Sequence, residues 1–272
     1  MPDRYAVIGN PVAQSKSPLI HAEFSLQTGE DVCYEAILAP LDRFAQTVTD
    51  FREKGGKGLN VTVPFKLDAF RISDQVTGRA RVAGAVNTLV FEGPDIVGDN
   101  TDGVGLVRDI ESNLGFLLPG KRILLIGAGG AARGAIMPLL GREPAALVIA
   151  NRTLQKARDL QQNFSGDGNI LAVTYHDLQG EHFDLVINAT STSLFGELPP
   201  LPEHIFAPQS LAYDMMYGKG RTPFLQFAKL QGAEYLADGM GMLVEQAAES
   251  FLVWRGVRPR TDAIIEMLGN CV

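Results

Sequence analysis

Short apolar runs alternate with stretches of helical periodicity along the whole chain, the rhythm expected of parallel α/β structure. Residues 5–8 read as a buried strand that stops at Gly9-Asn10-Pro11. Ser17 then reads as an N-cap with Pro18 at the first helical position, opening a helix to about Thr28. The pattern predicts a strand over 33–38, a helix over 41–54 and a third strand over 58–63 that Pro64 ends. Residues 88–91 and 96–98, separated by Glu92-Gly93-Pro94-Asp95, resemble a hairpin.

A second α/β series begins with a strand over 121–126, a glycine-rich turn and a helix from Ala131 that carries Pro138 near its end. Strands follow at 146–150, 183–188, 211–214 and 233–236, with helices at 154–163 and 223–231. Residues 240–254 and 261–268 close the chain as helices, and 194–208, with four prolines, is expected to be a surface loop. Chain order places a first domain at 1–101 and a second at 102–237, without assigning the closing helices to either.

Composition narrows the classes. The 272 residues favour two domains, at roughly 100–200 residues each, and 46% hydrophobic content supplies both cores. A net charge of −7 with no basic patch argues against nucleic acid as a partner. Cys33 and Cys271 stand in no metal or redox spacing, and His21, His176, His182 and His204 lie in separate segments, so no metal site is expected. The opening Met-Pro-Asp-Arg-Tyr-Ala-Val-Ile-Gly carries an acidic residue and lacks the long apolar region of a signal peptide, and no run of about 18 apolar residues spans a membrane. These features describe a soluble cytoplasmic protein. Its oligomeric state is open, a homodimer being one arrangement the sequence allows.

The most specific local chemistry is Gly127-Ala128-Gly129-Gly130-Ala131-Ala132, set between a strand and a helix. Gly127 permits a tight turn, Gly129 lets backbone approach a pyrophosphate, and Ala132 allows close helix–strand packing. The helix start offers unpaired N–H groups to phosphate. NAD sites place a carboxylate at the end of the next strand to hold the ribose hydroxyls. Here that end reads Asn151-Arg152-Thr153 with Lys156 beyond. A guanidinium matches a 2′-phosphate bidentately, which favours NADP. The plainer alternatives are a ligand-free glycine turn and an Arg152 that only solvates a loop.

Four further segments gather small polar groups near strand ends: Ser15-Lys16-Ser17-Pro18, Asn60-Val61-Thr62-Val63-Pro64-Phe65-Lys66, Gly84-Ala85-Val86-Asn87-Thr88 and Asp99-Asn100-Thr101-Asp102-Gly103. Ligands of open α/β sheets bind beyond the carboxyl ends of strands. Singly, each has a plain reading: Ser17 and Asp102 as N-caps, Asn87 as a turn residue, Lys66 as a solvated amine. Together they suit a polyol acid, with a Lys–Asp pair able to manage the proton that ketone reduction requires.

These motifs, with Gly9-Asn10-Pro11, Asp214-Met215-Met216-Tyr217 and Asp238-Gly239-Met240-Gly241-Met242-Leu243-Val244-Glu245-Gln246, resemble those of the shikimate dehydrogenases, in family order. The bacterial biosynthetic branch is the most similar. The resemblance implies NADPH reduction of 3-dehydroshikimate to shikimate, and the reverse, in the shikimate pathway of chorismate and aromatic amino-acid biosynthesis. It implies Lys66 and Asp102 as the catalytic pair, and Ser15, Ser17, Thr62, Asn87, Tyr217 and Gln246 as substrate ligands. Gly127, Ala128, Gly129, Gly130 and Ala131 would cradle the pyrophosphate. Asn151, Arg152, Thr153 and Lys156 would take the adenosine phosphate, with Met215 and Gly239 lining the nicotinamide. It further implies two α/β domains around a cleft, the second a Rossmann-type dinucleotide-binding domain, and returns 238–272 to the substrate domain. Gly78 departs from the family pattern, which often has a Glu contacting the cofactor there. Three alternatives remain: an NAD-preferring quinate/shikimate dehydrogenase, a relative acting on another hydroxy-acid such as an aminoshikimate, and a non-catalytic dinucleotide-binding redox sensor.

Overall fold

The apolar runs become strands in two separate six-stranded sheets. The structure, a computed structural model, describes residues 1–192, 196–218 and 220–269. Two units divide the chain, Met1–Gly105 with Val244–Met267, and Leu106–Leu243 with the chain end from Leu268.

In the first unit the strands are β1 (Asp3–Gly9), β2 (Val32–Leu38), β3 (Gly56–Val61), β4 (Gln75–Val76), β5 (Thr88–Glu92) and β6 (Asp95–Asp99). They lie in the order β2-β1-β3-β5-β6-β4. β1 runs parallel to β2 and β3, whereas β5 is antiparallel to both β3 and β6, so the sheet is mixed. The helices are α1 (Ser17–Thr28), α2 (Phe44–Glu53), α3 (Lys66–Ile72) and α4 (Gly78–Ala83). Ile8, Leu59 and Leu89 of the sheet pack with Val48, Phe51 and Phe65 in a closed core.

Ser17 is not a cap: it is the first residue of α1, and Lys16 holds the cap position without a side-chain bond. Lys66 does not trail a strand but opens α3, since β3 ends at Val61. α3, β4 and α4 were not legible as elements, because each is short and carries little periodicity of its own.

The second unit holds β7 (Arg122–Ile126), β8 (Ala146–Ala150), β9 (Ile170–Val173), β10 (Phe183–Asn188), β11 (Phe206–Asp214) and β12 (Tyr235–Asp238). All pair in parallel, in the order β12-β11-β10-β7-β8-β9. This is the doubly wound arrangement in which strand order reverses beside the first strand, between β7 and β10, and ligands bind at that switch point. α6 (Gly130–Leu140), α7 (Leu154–Asn163) and α8 (Pro223–Leu230) are its crossover helices. Residues buried on both faces of such a sheet give the unbroken apolar runs seen in β7 and β8. The expected loop over 194–208 is partly wrong: Phe206, Ala207 and Pro208 belong to β11, while Leu194 and Phe195 lie outside the described residues, as does Cys271.

α5 (Asp102–Arg108) and α9 (Met240–Arg255) each begin in one unit and end in the other, and α10 (Asp262–Gly269) closes the chain. The compact units thus change inside these helices, after Gly105 and after Leu243, where a continuous helix leaves no turn signal. α5 continues into a π-helical turn at Asp109–Asn113.

Candidate active site and dinucleotide loop

Lys66 at the start of α3 and Asp102 at the start of α5 meet, with Nζ 2.6 Å from Oδ2. Their side chains are 34% and 19% exposed, so the pair is braced by protein yet reachable by a small ligand. Asn100 takes over the capping role expected of Asp102, its Oδ1 accepting the Asp102 N–H at 3.1 Å. The Asp102 carboxylate is thereby released to side-chain partners. Its Oδ1 accepts from Asn87 Nδ2 at 2.9 Å, and the same nitrogen reaches Thr101 Oγ1 at 2.8 Å and Gln246 Oε1 at 3.2 Å.

Asn87 is buried at the entrance to β5. Its own Oδ1 accepts the Thr101 N–H at 2.9 Å, which fixes which way the amide faces. Gln246 comes into range because α9 packs tightly on α5. A Cβ at Gly105 would stand 2.7 Å from the Gln246 backbone nitrogen, so only glycine permits that approach.

The other expected substrate residues are placed differently. Ser15 and Ser17 pair at the start of α1, the Ser17 N–H donating to Ser15 Oγ at 3.3 Å. Thr62 follows β3 and is half-buried, its N–H donating to the Ile8 carbonyl at 3.0 Å. Among the described residues no hydrogen bond joins these three directly to the Lys66–Asp102 cluster. Tyr217 belongs to the second unit, just past β11, and is 37% exposed. Partial burial and the Asp238 carboxylate both push its phenol above the usual range.

In the second unit Gly127 adopts φ +107°, a conformation that glycine tolerates and other residues avoid. Its backbone N–H donates to the Ala150 carbonyl at 2.8 Å, anchoring the loop to the end of β8. Ala132 is fully buried against the sheet. Gly129 and Gly130 are exposed, and a Cβ on either would meet nothing within 4 Å. α6 starts there with no side-chain cap, so its N-cap residue offers no acceptor to its first N–H groups. At the end of β8 the Asn151 amide donates to the Thr153 carbonyl at 2.9 Å and shapes the turn into α7. Arg152, Thr153 and Lys156 are exposed, with the Arg152 guanidinium close enough to act electrostatically on Tyr175. Met215 is buried, and its backbone packs so closely on Gly239 that a Cβ there would overlap it.

Comparison with known proteins bears directly on this arrangement. Residues 7–89 match the shikimate dehydrogenase substrate binding domain, 110–195 the shikimate/quinate 5-dehydrogenase domain, and 239–268 the shikimate 5'-dehydrogenase C-terminal domain. The NADP(+) shikimate dehydrogenase of Nitrosospira multiformis is 69% identical, over 98% of this chain and 98% of that protein. The chain belongs to the shikimate dehydrogenase family. Among solved structures, an Ael1 enzyme from Pseudomonas putida superposes with a TM-score of 0.94 at 52% identity, covering 98% of both chains. The shikimate 5-dehydrogenase of Thermus thermophilus, solved in complex with NADP(H) and shikimate, gives 0.86 at 30% identity, covering 99% of this chain and all of that one (100%).

The loop and the turn after β8 suit NADP. An uncapped helix start beneath two side-chain-free residues suits a pyrophosphate. An exposed guanidinium with a lysine one turn on, and no carboxylate at the end of β8, suits a 2′-phosphate.

The sequence pointed to no role for Tyr34 or Ser250, and Asn60, Thr88 and Thr101 stood out only as members of motifs. All but Tyr34 are buried polar residues gathered behind Asn87. Their signal was available in part: a polar side chain at an inward strand position, as at Asn60, requires a buried partner.

Proposed function

We propose that the chain reduces 3-dehydroshikimate to shikimate with NADPH, and catalyses the reverse, in the cytoplasm as a step toward chorismate and the aromatic amino acids. The observation that carries this reading is the Lys66–Asp102 contact of 2.6 Å, tied through Asn87 to Gln246. The first unit is the substrate domain on this reading, and the second the NADP domain.

NADPH, when bound, would supply the hydride that the carbonyl carbon takes up. Lys66 supplies the proton that the reduced oxygen needs, and its ammonium offsets the charge that develops there. Asp102 holds that ammonium in place, with its second oxygen steadied by Asn87. Ser15, Ser17, Thr62, Asn87, Tyr217 and Gln246 hold the carboxylate and hydroxyls of the ring. Amides and hydroxyls discriminate well here, because a substrate lacking the matching group leaves them unpaired.

Gly127, Ala128, Gly129, Gly130 and Ala131 receive the pyrophosphate, and Met215 and Gly239 border the nicotinamide. Asn151, Arg152, Thr153 and Lys156 receive the 2′-phosphate side, which favours NADP over NAD and speaks against the quinate-type alternative. The test follows NADPH absorbance with 3-dehydroshikimate and, separately, with dehydroquinate, and repeats both with NADH. Rapid NADPH loss with 3-dehydroshikimate alone is expected. No turnover with either acid, or a clear preference for NADH, would refute the assignment.

A further inference from the structure

Behind the Lys66–Asp102 pair the first unit contains a run of buried hydrogen bonds that reaches to Tyr34 on the edge strand β2. The Tyr34 hydroxyl donates to Asn60 Oδ1 at 2.7 Å. With that oxygen occupied, Asn60 Nδ2 faces Ser250 Oγ at 2.9 Å, Thr88 Oγ1 at 3.2 Å and the Asn87 carbonyl at 3.3 Å. Ser250 Oγ in turn lies 2.8 Å from Thr88 Oγ1 and 3.2 Å from Thr101 Oγ1. Those two threonines grip opposite ends of the Asn87 amide: Thr88 Oγ1 donates to its Oδ1 at 2.9 Å, and its Nδ2 donates to Thr101 Oγ1 at 2.8 Å. The same Nδ2 contacts Asp102.

We infer that Tyr34 is a positioning residue for the substrate site, orienting Asn60 and, through Asn60, Thr88 and Ser250, the Asn87 amide that faces Asp102. An amide that turned over at Asn60 would set its oxygen against the Asn87 carbonyl and leave two hydroxyls without a donor. In a buried network each such mismatch is costly. Tyr34 counters this with a hydroxyl that stays protonated, because burial holds its phenol well above the usual range, with the neighbouring Ser17 side chain opposing. Its ring is fixed independently, stacked on His21 with centroids 4.1 Å apart and planes 5° apart. Tyr34 thus also stands beside Ser17, itself one of the proposed substrate residues.

The inference rests on the proposed reaction for its kinetic readout, but not for its structural one. Tyr34→Phe keeps the ring stack and deletes only the hydroxyl. The KM for 3-dehydroshikimate should rise roughly tenfold, the loss of about one well-formed hydrogen bond, with the KM for NADPH unchanged and Tm within about 4 °C of wild type. In an Asn60→Ala background the same change should add nothing further. The side-chain amide of Asn60, followed by nitrogen-15 NMR without turnover, should lose its protection from solvent exchange in Tyr34→Phe. Unchanged substrate KM with an unaltered Asn60 amide would overturn the inference, as would an equal rise in both Michaelis constants or full additivity with Asn60→Ala. If the wild-type protein did not reduce 3-dehydroshikimate, the proposed function would fail, and the NMR measurement alone would decide the role of Tyr34.

Discussion

Asp102 holds Lys66 on one carboxylate oxygen, Oδ2 to Nζ at 2.6 Å, while its other oxygen accepts the Asn87 amide at 2.9 Å. Both oxygens are directed by side chains, and the backbone role at the start of α5 has passed to Asn100. A carboxylate so held can orient an ammonium toward a substrate oxygen without rearranging, which is what electrostatic preorganisation requires.

Arg152 should decide between the two dinucleotides. Arg152→Ala is expected to raise the KM for NADPH by roughly ten- to hundredfold, the value of a charge-assisted bond to phosphate. Its kcat should stay within about twofold, because binding is lost equally in ground and transition states. The KM for NADH, which lacks the 2′-phosphate, should not move. Steady-state kinetics with both cofactors checks this, and an equal loss for each would remove Arg152 from phosphate recognition.

His21 predicts an acid-sensitive fold. It is fully buried with both ring nitrogens unpartnered, among the rings of Phe24, Tyr34, Phe251 and Trp254. Burial lowers its pKa to about 3, with the nearby Asn60 amide opposing. A base whose pKa is depressed in the fold takes up its proton in the unfolded chain first, so stability is complete above the unfolded value of about 6.5 and falls as pH drops toward 3. Between pH 7 and 5 this group alone should remove about 2 kcal/mol. Urea midpoints at both pH values should show that loss in the wild type and not in His21→Phe; an equal loss in both proteins would assign the acid sensitivity elsewhere.

Arg79 should be indispensable to the first unit. Its guanidinium contacts Asp99 at 2.6 Å and Glu249 at 2.7 Å, and the Asp99 side chain is only 4% exposed. Burial alone would raise the Asp99 carboxyl, but Arg79 and Thr77 outweigh it and hold it below its usual value. That stabilisation is present above the unfolded pKa and is lost as pH falls below it through the folded value. Arg79→Met strands a buried carboxylate and should cost about 3–5 kcal/mol. Denaturant unfolding measures this, and a loss under about 1 kcal/mol would mean that water reaches Asp99 freely.

What was legible in the sequence was local. The loop at Gly127 declares itself because the turn, the close approach and the helix start lie within six consecutive residues. Lys66 and Asp102 are 36 residues apart and meet only because the β5–β6 hairpin returns the chain beside β3. No periodicity encodes that pairing; resemblance to the family pointed to it. β4, with two residues, and β9, with four, are too short to show alternation. The start of β11 was hidden by Pro208, which sits where pairing with β10 shifts register beside Gln209 at φ 58°. Ser17 misled because a serine before proline reads as a cap, whereas its side chain stands beside Tyr34.

Turnover depends most directly on the ammonium at Lys66. Turnover of 3-dehydroshikimate with saturating NADPH should fall by roughly 10²–10⁴ in Lys66→Ala, the usual worth of a positioned acid–base group, with the KM for NADPH unchanged and the fold intact by circular dichroism. A Lys66→Ala enzyme with wild-type kcat would contradict the account.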